Sequence, residues 1–394
     1  MKDSTPHSER INIAFFGRCN SGKSSLVNAL CSQSVAIVSH EAGTTTDPVV
    51  KAMEITGVGA CIIIDTAGFD DTTSLGVERT AKTRKVLERA DIAVVLFSDA
   101  EPSVELEWVE QMRERNIKII AVLSQCDRYE DAMSRAAAIE QASGLRPLCV
   151  SAHTGEGLDA LREAILANAQ VEELLLTEGF CEPGDTVLLV MPQDKQAPKG
   201  RLIKPQVQTL RELLDRGCNA LCCTAEGMES ALQTLAAPPR LIITDSQVFD
   251  KVYRLKPLAS TLTSFSVLFA RYKGDINLFA EGAKVMMLLP ATARILIAEA
   301  CTHTPQNEDI GRVKLPMMLR RSLGEQLQIE VVGGNDFPED LSPYDLIIHC
   351  GGCMFSRRHV MSRVARAAKQ NIPITNYGIA IAALTGILDR VKCK

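Results

Sequence analysis

Two cysteine-histidine clusters have the residue types and spacing to hold a soft metal: Cys301-Thr302-His303 and, further on, His349-Cys350-Gly351-Gly352-Cys353. Three thiolates with a histidine suit zinc or an iron-sulfur cluster alike, because soft sulfur ligands serve both. The Gly351-Gly352 turn favours the cluster, since such a turn can aim backbone N–H groups at inorganic sulfide. His303 and His349 are each open to two readings, a fourth ligand or a donor that orients a ligand from behind. A second reactive set is Gly17-Arg18-Cys19-Asn20-Ser21-Gly22-Lys23-Ser24-Ser25. Its G-x-x-x-x-G-K-S spacing wraps backbone N–H groups around phosphates, brings Lys23 to the terminal phosphates and offers the Ser24 hydroxyl to magnesium.

The elements around this loop are those the chemistry needs. An apolar run at 11–16 precedes it and a helix-like stretch at 26–30 follows, giving strand, loop and helix in order. A second run, 60–64, ends in Asp65-Thr66-Ala67-Gly68, which sets a carboxylate at a strand end beside the expected magnesium. Gly68 allows close approach to the terminal phosphate. Between them, Thr44-Thr45-Thr46 offers a hydroxyl to complete the magnesium shell. Runs at 119–123 and 147–150 end in Ser124-Gln125-Cys126-Asp127 and Ser151-Ala152-His153.

In this order the pieces resemble a GTPase domain with a Ras-like parallel sheet. The resemblance implies GTP or GDP as ligand, with contacts from Gly17, Asn20, Ser21, Gly22, Lys23, Ser24, Ser25, Asp65, Gly68, Asp127, Ser151 and Ala152. It also implies Mg2+ on Ser24 and Thr45, and catalytic roles for Lys23, Asn20 and Thr45. Where the family reads Asn-Lys-x-Asp, this chain keeps only Asp127 to accept hydrogen bonds from guanine. Phe69 stands where Ras-like proteins carry a water-orienting Gln, which implies slow intrinsic hydrolysis. Asn20 with the Thr-rich loop resembles the potassium-dependent GTPases related to the tRNA-modification enzyme and Era, which implies K+ near the transferred phosphate. The other reading leaves Asn20 a polar loop residue.

After a helical stretch at 157–169, the acidic segment 172–185 reads as a linker. Apolar runs at 186–190, 219–223 and 241–244, with 264–271 as a fourth strand, imply a small parallel sheet. It carries no phosphate loop, so oligomer contacts are its candidate role, and Cys218, Cys222 and Cys223 read as packing residues. Strand candidates at 294–300, 329–332, 344–348 and 373–376 follow. Ligand sites in parallel sheets form beyond the strands' C-terminal ends, where both cysteine motifs fall. The expected domains are 1–172, 184–272 and 273–394.

A GTPase domain, a small middle domain and a C-x-H followed by H-C-x-x-C resemble the iron-iron hydrogenase maturation GTPase family over essentially the whole chain. Asp309-Ile310-Gly311 and Pro373-Ile374-Thr375-Asn376-Tyr377-Gly378 strengthen the match. The resemblance implies an α/β protein of three domains: a P-loop GTPase, a small α/β dimerisation domain and an α/β cluster-binding domain. Cys301, Cys350 and Cys353 would bind a 4Fe-4S cluster with an exchangeable fourth position, His303 and His349 being candidate fourth ligands. The protein would be a scaffold or carrier whose cargo is the di-iron subcluster precursor of apo iron-iron hydrogenase. Radical-SAM maturation proteins and a homodimer or higher oligomer would be its other partners, and hydrolysis would be regulatory. The competing reading is an RNA- or ribosome-directed GTPase related to Era and TrmE with a structural zinc site; its basic, aromatic RNA-binding module is not visible in the sequence.

Composition narrows the choice. The 394 residues suffice for two to three domains. The 13 cysteines are too sparse for a disulfide scaffold, and the polar segment 1–10 lacks the apolar core of a signal peptide, so a cytoplasmic location is expected. With 43 basic against 48 acidic residues and 4% aromatics, a general nucleic-acid binder is not expected. The most apolar stretch, 285–301, is broken by Pro290, Arg294 and Glu299, so no membrane span is expected. No Asp or Glu occurs from 346 through 388, a span holding Arg357, Arg358, Arg363, Arg366 and Lys369. Either these cations form a field that attracts an anionic cargo or partner, or they are a solvated helix face.

Overall fold

The structure is a computed structural model describing residues 10–33, 39–41, 49–55, 57–70, 74–98, 102–169, 174–192, 202–300, 310–334, 336–352 and 355–392. The chain divides into two compact units, Met1–Glu172 and Glu173–Lys394.

The first unit is built on strands β1 (Ile11–Gly17), β2 (Ser39–Glu41), β3 (Val49–Ile55), β4 (Gly59–Asp65), β5 (Ile92–Phe97), β6 (Lys118–Ser124) and β7 (Leu148–Val150). Their order is β2-β3-β4-β1-β5-β6-β7. The five strands from β4 to β7 across the sheet run parallel, while β2 and β3 pair antiparallel at one edge. Central β5 is Ile-Ala-Val-Val-Leu-Phe and wholly buried, the continuous apolar run a strand needs when both faces are covered. Alternate residues of β1 serve opposite cores: Ile13 and Phe15 pack with Leu26 and Ile165, Ala14 and Phe16 with Val109 and Met112. The motifs at 17–25, 65–68, 124–127 and 151–153 lie at or beyond a strand's C-terminal end on this frame, where parallel sheets bind ligands.

The second unit holds two four-stranded parallel sheets. The first has β8 (Thr186–Val190), β9 (Asn219–Cys223), β10 (Leu241–Thr244) and β11 (Thr261–Ser264) in the order β11-β10-β8-β9. The second has β12 (Arg294–Ala298), β13 (Gln328–Val332), β14 (Leu346–His349) and β15 (Ile374–Asn376) in the order β13-β12-β14-β15. One hydrophobic cluster runs through both, joining Leu188 and Ile242 to Leu296 and Ile347 by way of Val267 and Phe279. The helix Ile276–Met286 seals the junction. Asp275 caps it by accepting from the Asn277 and Leu278 N–H groups, and Gly282 lies so close to β15 that a Cβ there would meet the Ile374 carbonyl at 2.1 Å.

The stretch 264–271, expected as a fourth strand, is corrected. The strand is Thr261–Ser264, and Phe265–Lys273 is a helix. Ser264 is the turning point, its hydroxyl accepting from the Val267 N–H as an N-cap. Apolar residues on both sides of that cap make one long run in the sequence, and periodicity alone does not separate a buried strand from a buried helix.

Candidate functional site

Strand β1 ends at Gly17, where a Cβ would meet the Ser21 hydroxyl at 2.8 Å and the Leu96 carbonyl at 2.9 Å. The loop turns through left-handed Asn20 (φ 61°) and Gly22 (φ 89°), and a helix begins at Lys23. Lys23 is buried, with Nζ donating to the Gly17 and Arg18 carbonyls at 3.0 and 2.7 Å. Burial pulls its pKa down, with Asp65 the main opposing charge. Asp65, at the end of β4, has its carboxyl pKa raised by burial, opposed by a hydrogen bond from Ser24 and the charge of Lys23. Two buried polar atoms at this loop have no hydrogen-bond partner among the described residues: Ser21 Oγ and Asp65 Oδ1. Buried polar atoms are rarely left so, and here they fit a phosphate oxygen and a hard cation. Ser24 and Asp65, already in contact, are the groups that would hold magnesium. Thr45 lies outside the described residues.

Gly68 has no room for a side chain, since a Cβ would fall 2.4 Å from Cys19 Sγ and 2.5 Å from its nitrogen. The turn after β4 therefore rides on the phosphate loop, fastened by the Cys19 N–H donating to Asp70 at 2.6 Å. Burial disfavours the Asp70 carboxylate, yet the hydrogen bonds it accepts outweigh this and its pKa stays low. Phe69 stacks on Trp108 at 4.4 Å and 18°, with Phe16 behind it. At the position of a water-orienting Gln there is a packed aromatic ring with no polar atom to offer.

Two contacts were not anticipated. Arg18 Nε donates to Glu105 Oε1 at 2.9 Å, tying the phosphate loop to a carboxylate that is 1% exposed. Gln125, left-handed at φ 54°, donates from Nε2 to the Asn20 carbonyl at 2.9 Å. Although it replaces the lysine of the family motif, Gln125 still struts the base loop against the phosphate loop. Ser124 Oγ donates to the Phe97 carbonyl at 3.3 Å. Asp127 is held ionised, chiefly by the Ser151 hydroxyl. Gly22, Ser25, Gln125, Asp127 and Ala152 line one cavity of about 350 Å³.

In the second unit, β12 and β14 pair with Ala298 opposite His349. Cys350 follows at once, its N–H bonded to the Ala298 carbonyl at 2.9 Å. Its sulfur accepts from the Ala300 N–H at 3.0 Å and the Gly352 N–H at 3.4 Å. Two amides aimed at one sulfur stabilise a thiolate, which fits a metal ligand. A Cβ on Gly351 would meet none of the described residues within 4 Å. Cys301, His303 and Cys353 lie outside the described residues, and among those described no three Cys, His, Asp or Glu side chains converge on a metal site.

His349, expected as a candidate fourth ligand, faces inward. It is 0% exposed, Nδ1 lies 2.7 Å from the Cys350 carbonyl and Nε2 lies 3.2 Å from Arg363 Nη1. A guanidinium only donates, so Nε2 is the acceptor and Nδ1 carries the proton. Burial and Arg363 push its pKa down to about 3. With both ring nitrogens engaged, His349 takes the second of its two readings, a donor that steadies Cys350 from behind.

The cations of 346–388 are likewise corrected. Arg357 donates to the carbonyls of Arg271, Tyr272 and Gly274 at 3.2, 2.7 and 2.9 Å, and Arg366 to those of Phe337 and Pro338 at 3.5 and 3.1 Å. Arg363 is 1% exposed. Three of the five charges are fasteners of the fold, because carbonyl oxygens at helix and strand ends need donors as much as carboxylates do.

The fold and the phosphate loop define the first unit as a P-loop GTPase domain, and residues 12–125 match the family model of the 50S ribosome-binding GTPase. Residues 176–274 match the hydrogen maturase F dimerization domain, and 277–392 the hydrogen maturase F tetramerization domain. The chain belongs to the hydrogen maturase F (HydF) family. Among curated relatives, the tRNA modification GTPase MnmE of Bordetella petrii is 36% identical over 167 residues, 41% of this chain and 34% of that protein. The MnmE of Polynucleobacter asymbioticus is 37% identical over 163 residues, covering 40% and 34%. The chain thus spans about a third of the length of these relatives. A solved structure of an Aquifex aeolicus Era variant bound to GDP.AlF4- aligns with TM-score 0.35 and 20% identity, over 57% of this chain and 98% of that one. No helix among the described residues is long and apolar enough to cross a membrane.

Proposed function

We propose that this chain is a cytoplasmic GTPase and iron-sulfur scaffold that assembles or delivers a di-iron subcluster precursor to apo iron-iron hydrogenase. The observation that carries the reading is the joining, in one chain, of an intact phosphate loop to the two hydrogen maturase F modules. The proposed domains are 1–172, 184–272 and 273–394, the middle and last making the contacts of a homodimer or higher oligomer. Apo hydrogenase and radical-SAM maturation proteins are the partners.

In the nucleotide site Lys23 neutralises the terminal phosphates, Ser24, Thr45 and Asp65 hold magnesium, and Asp127 with Ser151 and Ala152 reads the guanine. Asn20 holds K+ beside the phosphates. Since Phe69 cannot orient water, turnover depends on that added positive charge. In the last domain Cys301, Cys350 and Cys353 are the cluster ligands, His303 a candidate for the fourth position, and a 4Fe-4S cluster there would supply one iron open to exchangeable ligands. The amides of Ala300 and Gly352 hold the Cys350 sulfur in place for it.

Two measurements test this reading. Chain purified anaerobically from cells that also make the radical-SAM maturases should activate apo iron-iron hydrogenase when mixed with it; no activation would refute the carrier role. GTP turnover should be faster in potassium than in sodium, and equal rates would remove the role of Asn20.

A further inference from the structure

A guanidinium is expensive to bury, and Arg363 is the largest side chain fully buried among the described residues. A guanidinium stays charged even when buried. Several elements hold it. It sits over the rings of Phe337 and Phe355 at 4.9 and 4.7 Å, donates from Nη2 to the Gly334 carbonyl just past β13, and donates from Nη1 to His349 Nε2 at the end of β14. His359 stacks on Phe355 at 3.8 Å and closes the aromatic box. The charge is therefore fixed in place, and one of its contacts leads to His349. His349 passes it on, donating from Nδ1 to the Cys350 carbonyl at 2.7 Å. The next atoms outward are the Cys350 sulfur and the two amides that face it.

We infer that Arg363 is a positioning residue for the cluster, acting through His349 on the Cys350 peptide, and that its buried charge favours the cluster's reduced state. The inference rests on the iron-sulfur reading proposed above. Its physical content is twofold. The relay fixes the rotamer and tautomer of His349, so that the carbonyl of a ligand residue is held through a bond that does not involve its sulfur. The fixed positive charge lowers the energy of the added electron, and charge and hydrogen bonding near the ligands are known levers on cluster potential. His349 cannot be a ligand while it accepts from Arg363.

The test is the cluster's midpoint potential, followed by EPR, in reconstituted full-length protein, with iron, sulfide and circular dichroism as controls. Arg363→Met should retain iron and sulfide but shift the potential to more negative values. Arg363→Lys, which keeps the charge, should restore most of that shift, a rescue that a packing role would not produce. His349→Phe should keep its iron and show a smaller negative shift. An Arg363→Met potential equal to that of the parent would overturn the inference. Should Arg363→Met not fold, pulsed EPR of the parent and His349→Phe decides. A strong imidazole nitrogen coupling that disappears in His349→Phe would make His349 a ligand and overturn the relay; identical couplings in both support it. A parent protein that holds zinc and no iron would refute the iron-sulfur reading itself, and this inference with it.

Discussion

The phosphate loop and the Cys350 end of β14 are both strand ends of parallel sheets, yet they dispose of their polar groups in opposite ways. Around the phosphate loop, buried acceptors are left waiting: Asp65 Oδ1 and Ser21 Oγ have no partner among the described residues. At the end of β14 both ring nitrogens of His349 are engaged and the Cys350 sulfur accepts from two amides, while Arg357 further along is held by three carbonyls. The first arrangement suits a ligand that arrives and leaves, because the ligand completes the hydrogen bonding each time. The second suits a resident group whose ligand loop must keep its shape while the cargo on it changes.

The sharpest way to break this comparison is to remove one ligand from each region and look for cross-effects. Cys350→Ala should abolish cluster iron, measured by metal analysis after anaerobic reconstitution, while GTP turnover stays at the parent rate. Lys23→Ala should lower GTP turnover by about 100-fold or more, since a buried cation facing the transferred phosphate is removed, and leave iron content unchanged. Loss of iron in Lys23→Ala would mean the two regions do not fold or function independently. A smaller effect is expected from Arg357→Met, which leaves three carbonyls without their shared donor; thermal unfolding should show a loss of about 1–3 kcal/mol, with cluster potential unaltered. Unchanged stability would return Arg357 to the role of a free surface charge. Gln125→Ala should be mildest. Loss of its bond to the Asn20 carbonyl should raise the KM for GTP about two- to tenfold, the worth of one exposed hydrogen bond, and no change would show that the strut is incidental.

The sequence disclosed these regions unevenly, for a physical reason. The phosphate loop is local: strand, glycines, lysine and helix lie within a few turns of chain, so residue order alone prescribes where Lys23 and Ser24 point. Most strands were legible as continuous apolar runs, as at 186–190 and 241–244, whereas β2, β3 and β5 were not anticipated. The stretch 264–271 failed where a strand and a helix of equal apolarity meet at Ser264. The roles of Gln125 and Arg363, and the choice between the two readings of His349, were illegible because each depends on a partner elsewhere in the sequence: Asn20, Gly334 and Arg363 respectively. The absence of carboxylates between 346 and 388 suggested unopposed charge, whereas backbone carbonyls, which no composition count registers, engage three of those cations.

The central claim is that a metal-sulfur cluster resides on Cys350 and its partner cysteines. The most direct measurement is iron, acid-labile sulfide and zinc analysis, with a visible spectrum, on protein purified anaerobically. The account predicts about four iron and four sulfide per chain, a broad visible band bleached by reduction, and no stoichiometric zinc. Zinc at about one per chain with no iron or sulfide would contradict it.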